Sequence, residues 1–417
     1  MKKRSMILPR LGTMIFFQEF VYGTWLISMG LILSKHGLSS IIGTAYAVGG
    51  IAAILSPIFI GMLTDRFFTS QKALAVCNLL GAVVLWLIPS QIYAQNGTMF
   101  LWLIFLYNLI FIPSYSLRNN ISFRNIDNYK KNFPLISVFG TVGFIASGLL
   151  LGTLGYSDNP VSFQYGAVVS FLLGLYNLTL PNTPPLAKGK PISLRDLLFL
   201  DALTMLKDRN YLVFTVCTVL LFIPFTAYSS YASVFLGAFG FQKVSAIMTI
   251  GQVSEIIFLL LLPLFFRKLG YKYIFLIGLV AWIVRCGLFA LGASEMVVMF
   301  VYIGLALHGF CWNFFFVTGF MYTDEKADPE IKGQAQGLLM LFSQGIGVFL
   351  GSIVTGHLFN TTITKQGTGA LHQWGYFWTY SIAGAIVITL LFLFLFKKRE
   401  KSSITVGTVD IKKVSNS

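Results

Sequence analysis

Two of the fifteen acidic residues in this 417-residue chain, Glu19 and Glu255, sit inside long apolar stretches. Lipid cannot solvate a carboxylate, so each must be paired, protonated or open to a wet cavity. A carboxyl group poised between its two protonation states can take and release a proton once per cycle. Both are therefore candidates for proton coupling. Gln252 precedes Glu255 by three residues, and on a helix the two project from one face. They form a fork of donors and acceptors suited to vicinal hydroxyls, such as those of a ribose, or to a hydrogen bond between helices. Arg285 is the one basic residue placed inside an apolar stretch, and Glu255 or a backbone carbonyl is its expected companion.

Other polar side chains recur at helical spacing. Gln18, Tyr22 and Trp25 stand at i, i+4 and i+7, with Glu19 beside them. Ser137, Thr141 and Phe144 repeat that spacing, and Thr226, Ser229 and Ser233 stand at i, i+3 and i+7. His308 and Trp312 stand at i and i+4, with Asn313 adjacent. Rings can stack on a planar base, while hydroxyls and amides read its polar edge. Singly, such stripes more often glue helices together.

The elements that must hold these residues are set by composition. Hydrophobic residues make up 56% of the chain and charged ones only 11%, against about 25% in an ordinary soluble domain. A soluble fold of this size would lack the charge to cover its surface. A bilayer-spanning helix needs about 20 mostly apolar residues. Twelve such stretches occur, near 11–33, 40–63, 72–93, 98–117, 134–155, 161–180, 211–237, 243–266, 271–293, 296–322, 333–358 and 374–396. The basic N-terminus resembles the start of a signal peptide. The apolar run after it is too long, contains Glu19 and lacks a cleavage site, so it reads as a retained first helix.

The net charge of +15 is a topological label. With a cytoplasmic N-terminus, 26 of the 30 Lys and Arg fall in cytoplasmic segments, and only Lys35, Lys243 and Lys365 fall outside. That bias puts both termini inside. The charge is spread over every cytoplasmic loop rather than gathered in a groove, which argues against nucleic acid as a partner. The four cysteines all fall in apolar stretches, and they and the four histidines show no metal spacing. No cofactor is expected.

A linker at 182–209, Pro-rich at first and amphipathic over Leu194–Leu206, divides six stretches from six. The expected organisation is an N-terminal bundle 1–181, the linker, a C-terminal bundle 210–397 and a polar, disordered tail 398–417. The halves echo one another: Gly140, Gly143 and Gly148 in stretch 5 correspond to Gly345, Gly347 and Gly351 in stretch 11. Repeated halves are how secondary transporters build a midplane site reachable from either side.

Twelve stretches as six plus six, with Gly61-x-x-x-Asp65-Arg66 between the second and third, resemble the major facilitator superfamily. A narrower resemblance is carried by Tyr22-Gly-Thr-Trp25, Phe133-Pro134 with Gly140-Thr141-Val-Gly143-Phe144-Ile145, and Gln252-Val-Ser254-Glu255. Ala281-Trp282-Ile-Val-Arg285, His308-Gly309 with Phe314-Phe315, and Ala335-Gln336-Gly337 continue it. Running in order from about residue 11 to 397, these segments are similar to the nucleoside:proton symporter family. The resemblance implies an all-α membrane fold of two pseudo-symmetric six-helix bundles and proton-coupled import of a purine or pyrimidine nucleoside by a monomeric, multi-pass protein of the cell inner membrane.

It also implies a substrate cavity lined by Gln252, Glu255, Ser137, Thr141, Phe144, Thr226, Ser229, His308, Trp312 and Asn313. Proton coupling would fall to Glu255 and Glu19, and cytoplasmic gating to Asp65 and Arg66. Family members tend to carry Arg where this chain has Ser137 and Asp where it has Asn313. Losing both charges together is coherent, because one alone would be stranded. Thr226 and Ser229 likewise stand where the family has Gln and Asn. The altered cavity leaves uptake of another hydroxylated solute, a sugar or amino sugar, and nucleoside uniport as alternatives. A membrane enzyme is disfavoured, since no hydrolase, zinc-protease or phosphate-loop motif occurs.

Overall fold

A computed structural model describes residues 7–63, 69–127, 129–184, 195 and 199–397. The described residues form helices and connecting turns, with no strand among them. Twelve helices match the twelve expected spans. They are α1 (Ile7–Lys35), α2 (Ile42–Leu63), α3 (Ser70–Tyr93), α4 (Gly97–Asn125), α5 (Tyr129–Thr153) and α6 (Val161–Asn177). The second six are α7 (Arg209–Phe239), α8 and α9 (244–269 and 271–295), α10 (Val298–Lys326), α11 (Lys332–Thr362) and α12 (Leu371–Leu395). Helices α8 and α9 run together as Val244–Glu295 and part at Gly270, whose φ of 70° and ψ of 172° no helix accommodates. That left-handed turn takes the place of a loop.

One boundary differs from the sequence reading. Helix α4 continues to Asn125 rather than ending near 117. Its polar end is satisfied inside the bundle: Arg118 pairs with Glu19, Asn120 donates to Ser70 Oγ at 2.9 Å, and Asn125 donates to the Ile121 carbonyl at 2.8 Å. Arg118 therefore belongs to a span, and Arg285 is not the only cation at depth. The described end of the linker also differs from the expected surface helix. Ala202–Lys207 is a 3₁₀ helix whose Ala202 is fully buried against Ala327, Ala335 and Leu338. Residues 194 and 196–198 of that expected helix, the tail 398–417 and the gate residues Asp65 and Arg66 lie outside the described residues.

Two spans contain wide π turns, Trp312–Val317 in α10 and Leu341–Gly347 in α11. Such turns are rare and concentrate at functional sites.

The repeat seen in the glycines is a repeat of packing. Within the first half, Gly143 of α5 lies against the Phe16 backbone of α1; within the second, Gly351 of α11 lies against the Phe222 backbone of α7. Across the halves, Gly148 of α5 meets Ser245 and Thr249 of α8, and Gly43 of α2 meets Gly356 of α11. A Cβ on Gly43 would stand 2.6 Å from the Gly356 Cα, so only glycine permits that approach. Ser28 and Ser245 add a hydrogen bond between the halves at 2.7 Å. These contacts gather at the end of the bundle opposite the two termini.

Candidate functional site

Each half carries one carboxylate and one arginine at depth, and the two halves arrange them differently. In the first half, Glu19 of α1 accepts from Arg118 Nη1 at 2.6 Å and from the Tyr115 hydroxyl at 3.2 Å, both on α4. The guanidinium also lies over the Tyr115 ring, 4.7 Å from its centre. Beside this contact, Gln18 donates to Ser114 Oγ at 2.6 Å. Rings continue the wall: Tyr22 stacks on Phe111 at 5.4 Å and lies 6.2 Å from Phe144 of α5.

In the second half, Arg285 of α9 is fully buried and touches no carboxylate among the described residues. Its guanidinium sits 3.3 Å from the centre of the Tyr228 ring, a close cation–π contact, and its Nη1 lies 3.2 Å from His308 Nδ1. The far nitrogen of His308, Nε2, lies 3.9 Å from Glu255 Oε2. The expected Arg285–Glu255 companionship is thus indirect, with an imidazole between them. Glu255 keeps 24% of its side chain exposed.

Backbone contacts explain why these groups meet. Gly309 brings α10 against the Ser254 backbone of α8, and its N–H donates to Ser254 Oγ at 2.9 Å. His308 and Glu255 are the chain neighbours of those two residues and so come face to face. The π turn then carries Asn313 round to donate to the Glu255 carbonyl at 2.8 Å. Asn313 Oδ1 and Gln252 Oε1 are buried without a hydrogen-bond partner. Buried amide oxygens are ordinarily paired, so this wall of the site has acceptor capacity to spare. Trp312 stands between His308 and Phe316, with ring centres at 6.4 and 4.8 Å.

The structure thus brings together Gln252, Glu255, His308, Trp312 and Asn313. Glu19 lies in the other half, where Arg118 and Tyr115 hold it. Ser137 and Thr226 are turned to other tasks here. Ser137 donates to the Phe133 carbonyl of its own helix at 2.9 Å. Thr226 donates to the Ile223 carbonyl at 3.0 Å and lies 3.4 Å from Thr355 in the α7–α11 contact. Thr141, Phe144 and Ser229 are half-buried. Sequence reasoning missed Arg118, Tyr115 and Tyr228. Phe111, Tyr115 and Arg118 share the i, i+4, i+7 spacing of the other stripes, but Arg118 falls just past the expected span 98–117. Among the described residues no cluster of potential metal ligands occurs.

Comparison with known proteins decides the family. Residues 6–401 match the profile of the nucleoside H+ symporter family. The chain belongs to that family. Relatives of this chain include the putative nucleoside transporter YegT of Escherichia coli, 37% identical and covering 96% of each chain. The nucleoside permease NupG of the same organism is 28% identical over 93% of this chain and 95% of its own. The crystal structure of NupG superposes with a TM-score of 0.83 over 94% of this chain and 100% of that one, at 27% identity. A bacterial homologue of the lysosomal transporter Spinster, 11% identical over 94% of this chain and 96% of its own, shares the fold with a TM-score of 0.73. The protein is a multi-pass membrane transporter with the major facilitator fold, and it is not an enzyme.

Proposed function

We propose that this transporter imports nucleosides against their gradient, coupled to protons, by alternating access, with the site at the interface of bundles 1–181 and 210–397. The observation that carries the reading is the wall formed by Gln252, Glu255, Asn313 and Trp312. It combines a partly exposed carboxylate, two unpartnered amide oxygens and a flanking indole. Amide and carboxylate oxygens accept from ribose hydroxyls, and an indole stacks on a base. Thr141, Phe144 and Ser229 extend the wall from α5 and α7. Glu255 carries the proton, and Glu19 acts on it through its charge.

The positive-charge bias supports an inner-membrane protein with cytoplasmic termini. The close approach of Gly43 and Gly356 then lies toward the outer face. Asp65 and Arg66 would gate the inner end. Similarity to YegT and NupG supports the substrate class.

The test is uptake of labelled uridine and adenosine by monomeric protein in liposomes, with and without an inward proton gradient. Gradient-dependent accumulation supports the reading. Equilibration that ignores the gradient identifies a uniporter. Uptake displaced by a free sugar but not by nucleosides overturns the substrate class.

A further inference from the structure

The second-half site holds an arrangement that the proposed function does not use: a buried arginine whose contact is a histidine rather than a carboxylate. A guanidinium is always charged and can only donate. The imidazole nitrogen 3.2 Å from Arg285 Nη1 must therefore be an acceptor, which makes Nδ1 the bare nitrogen and Nε2 the protonated one. With its lone pair engaged by the guanidinium, Nδ1 has no place for a second proton. Nε2–H then faces the Glu255 carboxylate across 3.9 Å, a gap that one bridging water or a small side-chain movement closes.

We propose that His308 is a positioning residue, locked by Arg285 as the neutral Nε2–H tautomer, that steadies ionised Glu255 and does not itself carry the coupled proton. This rests on Glu255 being the coupling carboxylate. The proton enters and leaves on the Glu255 oxygens alone, and the imidazole keeps one N–H throughout. The other titratable and charged groups facing this chain are few. Tyr228 of α7 lies under the guanidinium, and the thiols of Cys311 on α10 and Cys286 on α9 flank it. Glu19 is held by its own partner Arg118 in the other half. None of these contacts His308 Nδ1 in place of Arg285.

Two measurements test the lock. The first needs no transported solute: ¹⁵N spectra of histidine-labelled protein in lipid, with the His308 signal assigned by its loss in H308Q. The expected result is one bare Nδ1 and one protonated Nε2, unchanged from about pH 5 to 8, the span in which a free histidine changes charge. In R285M the tautomer should no longer be fixed, and an Nδ1–H signal should appear beside the Nε2–H one. An imidazolium signal in the wild-type protein at the acid end would overturn the proposal. So would an R285M signal that stays locked.

The second is proton-driven accumulation of nucleoside. H308A should lower it roughly tenfold, the scale of one lost hydrogen bond to a charged group. H308Q, whose amide accepts from Arg285 and donates to Glu255 but cannot titrate, should recover most of the loss. An H308Q protein that binds nucleoside yet accumulates none would make His308 a proton carrier and end the idea. If wild-type protein accumulates no nucleoside, the substrate reading fails, while the spectra still decide the lock.

Discussion

The two halves present the same ingredients, a carboxylate and an arginine at depth, and combine them in opposite ways. In the first half, Glu19 and Arg118 meet directly at 2.6 Å, with Tyr115 completing the carboxylate's contacts. In the second, an imidazole stands between Arg285 and Glu255, and the carboxylate keeps a 3.9 Å gap on that side. A directly paired carboxylate anchors helices. A carboxylate left open to a cavity can change charge at small structural cost. The contrast suits a division of labour: Glu19–Arg118 ties α1 to α4, and we propose that Glu255 carries the proton.

The most damaging way to probe the contrast is to strand a charge. E19Q leaves Arg118 without its carboxylate and should cost about 3 kcal/mol of stability, read from thermal unfolding in detergent. E19Q/R118M should recover most of that. E255Q should cost little, because no arginine touches Glu255 directly. An E255Q loss as large as that of E19Q would erase the distinction between the halves.

A second probe restores what this chain lacks relative to its family. N313D places a carboxylate beside the Glu255 backbone and S137R a cation on α5. Each alone should depress accumulation, and together they should be better tolerated than their separate effects imply, by a coupling energy of about 1–2 kcal/mol. Strict additivity would mean that positions 137 and 313 do not face one another.

The smallest expected effect lies outside the membrane and serves as a control. Asp208 caps α7 by accepting from Tyr211 N at 2.9 Å and pairs with Lys326 at 2.7 Å. Burial opposes its charge, but Lys326 and the Tyr211 N–H hold its carboxyl below the usual carboxylate range. D208A should cost about 1 kcal/mol, the ordinary worth of a cap. A depressed carboxyl contributes stability above its unfolded pKa and loses it as pH falls through the folded one. The difference between D208A and wild type should therefore shrink in acid, by thermal unfolding at two pH values, while accumulation is untouched.

Much of this was legible in the sequence because membrane folding is governed by counting. Twelve apolar stretches and the small residues at 140, 143, 148, 345, 347 and 351 foretold spans, halves and close approaches, since no other structure satisfies the backbone in lipid. What stayed hidden was set by partners distant in sequence. Arg118 read as a loop cation because nothing nearby neutralises it; Glu19, 99 residues earlier, does. Gly309 and the π turn at Trp312–Val317 bring His308 and Asn313 onto Glu255, and neither has a sequence period that announces it. Thr226 and Ser137 shared the spacing of site residues, yet their hydroxyls satisfy local carbonyls here. Helical spacing gives a face, and what the face meets is decided by the neighbouring helix.

The most direct measurement compares E255Q with E19Q in liposomes under an imposed inward proton gradient, following nucleoside accumulation and gradient-free exchange side by side. Glu255 as the coupling carboxylate predicts that E255Q exchanges nucleoside but no longer accumulates it, whereas folded E19Q/R118M still accumulates. Accumulation by E255Q comparable to wild type would contradict it.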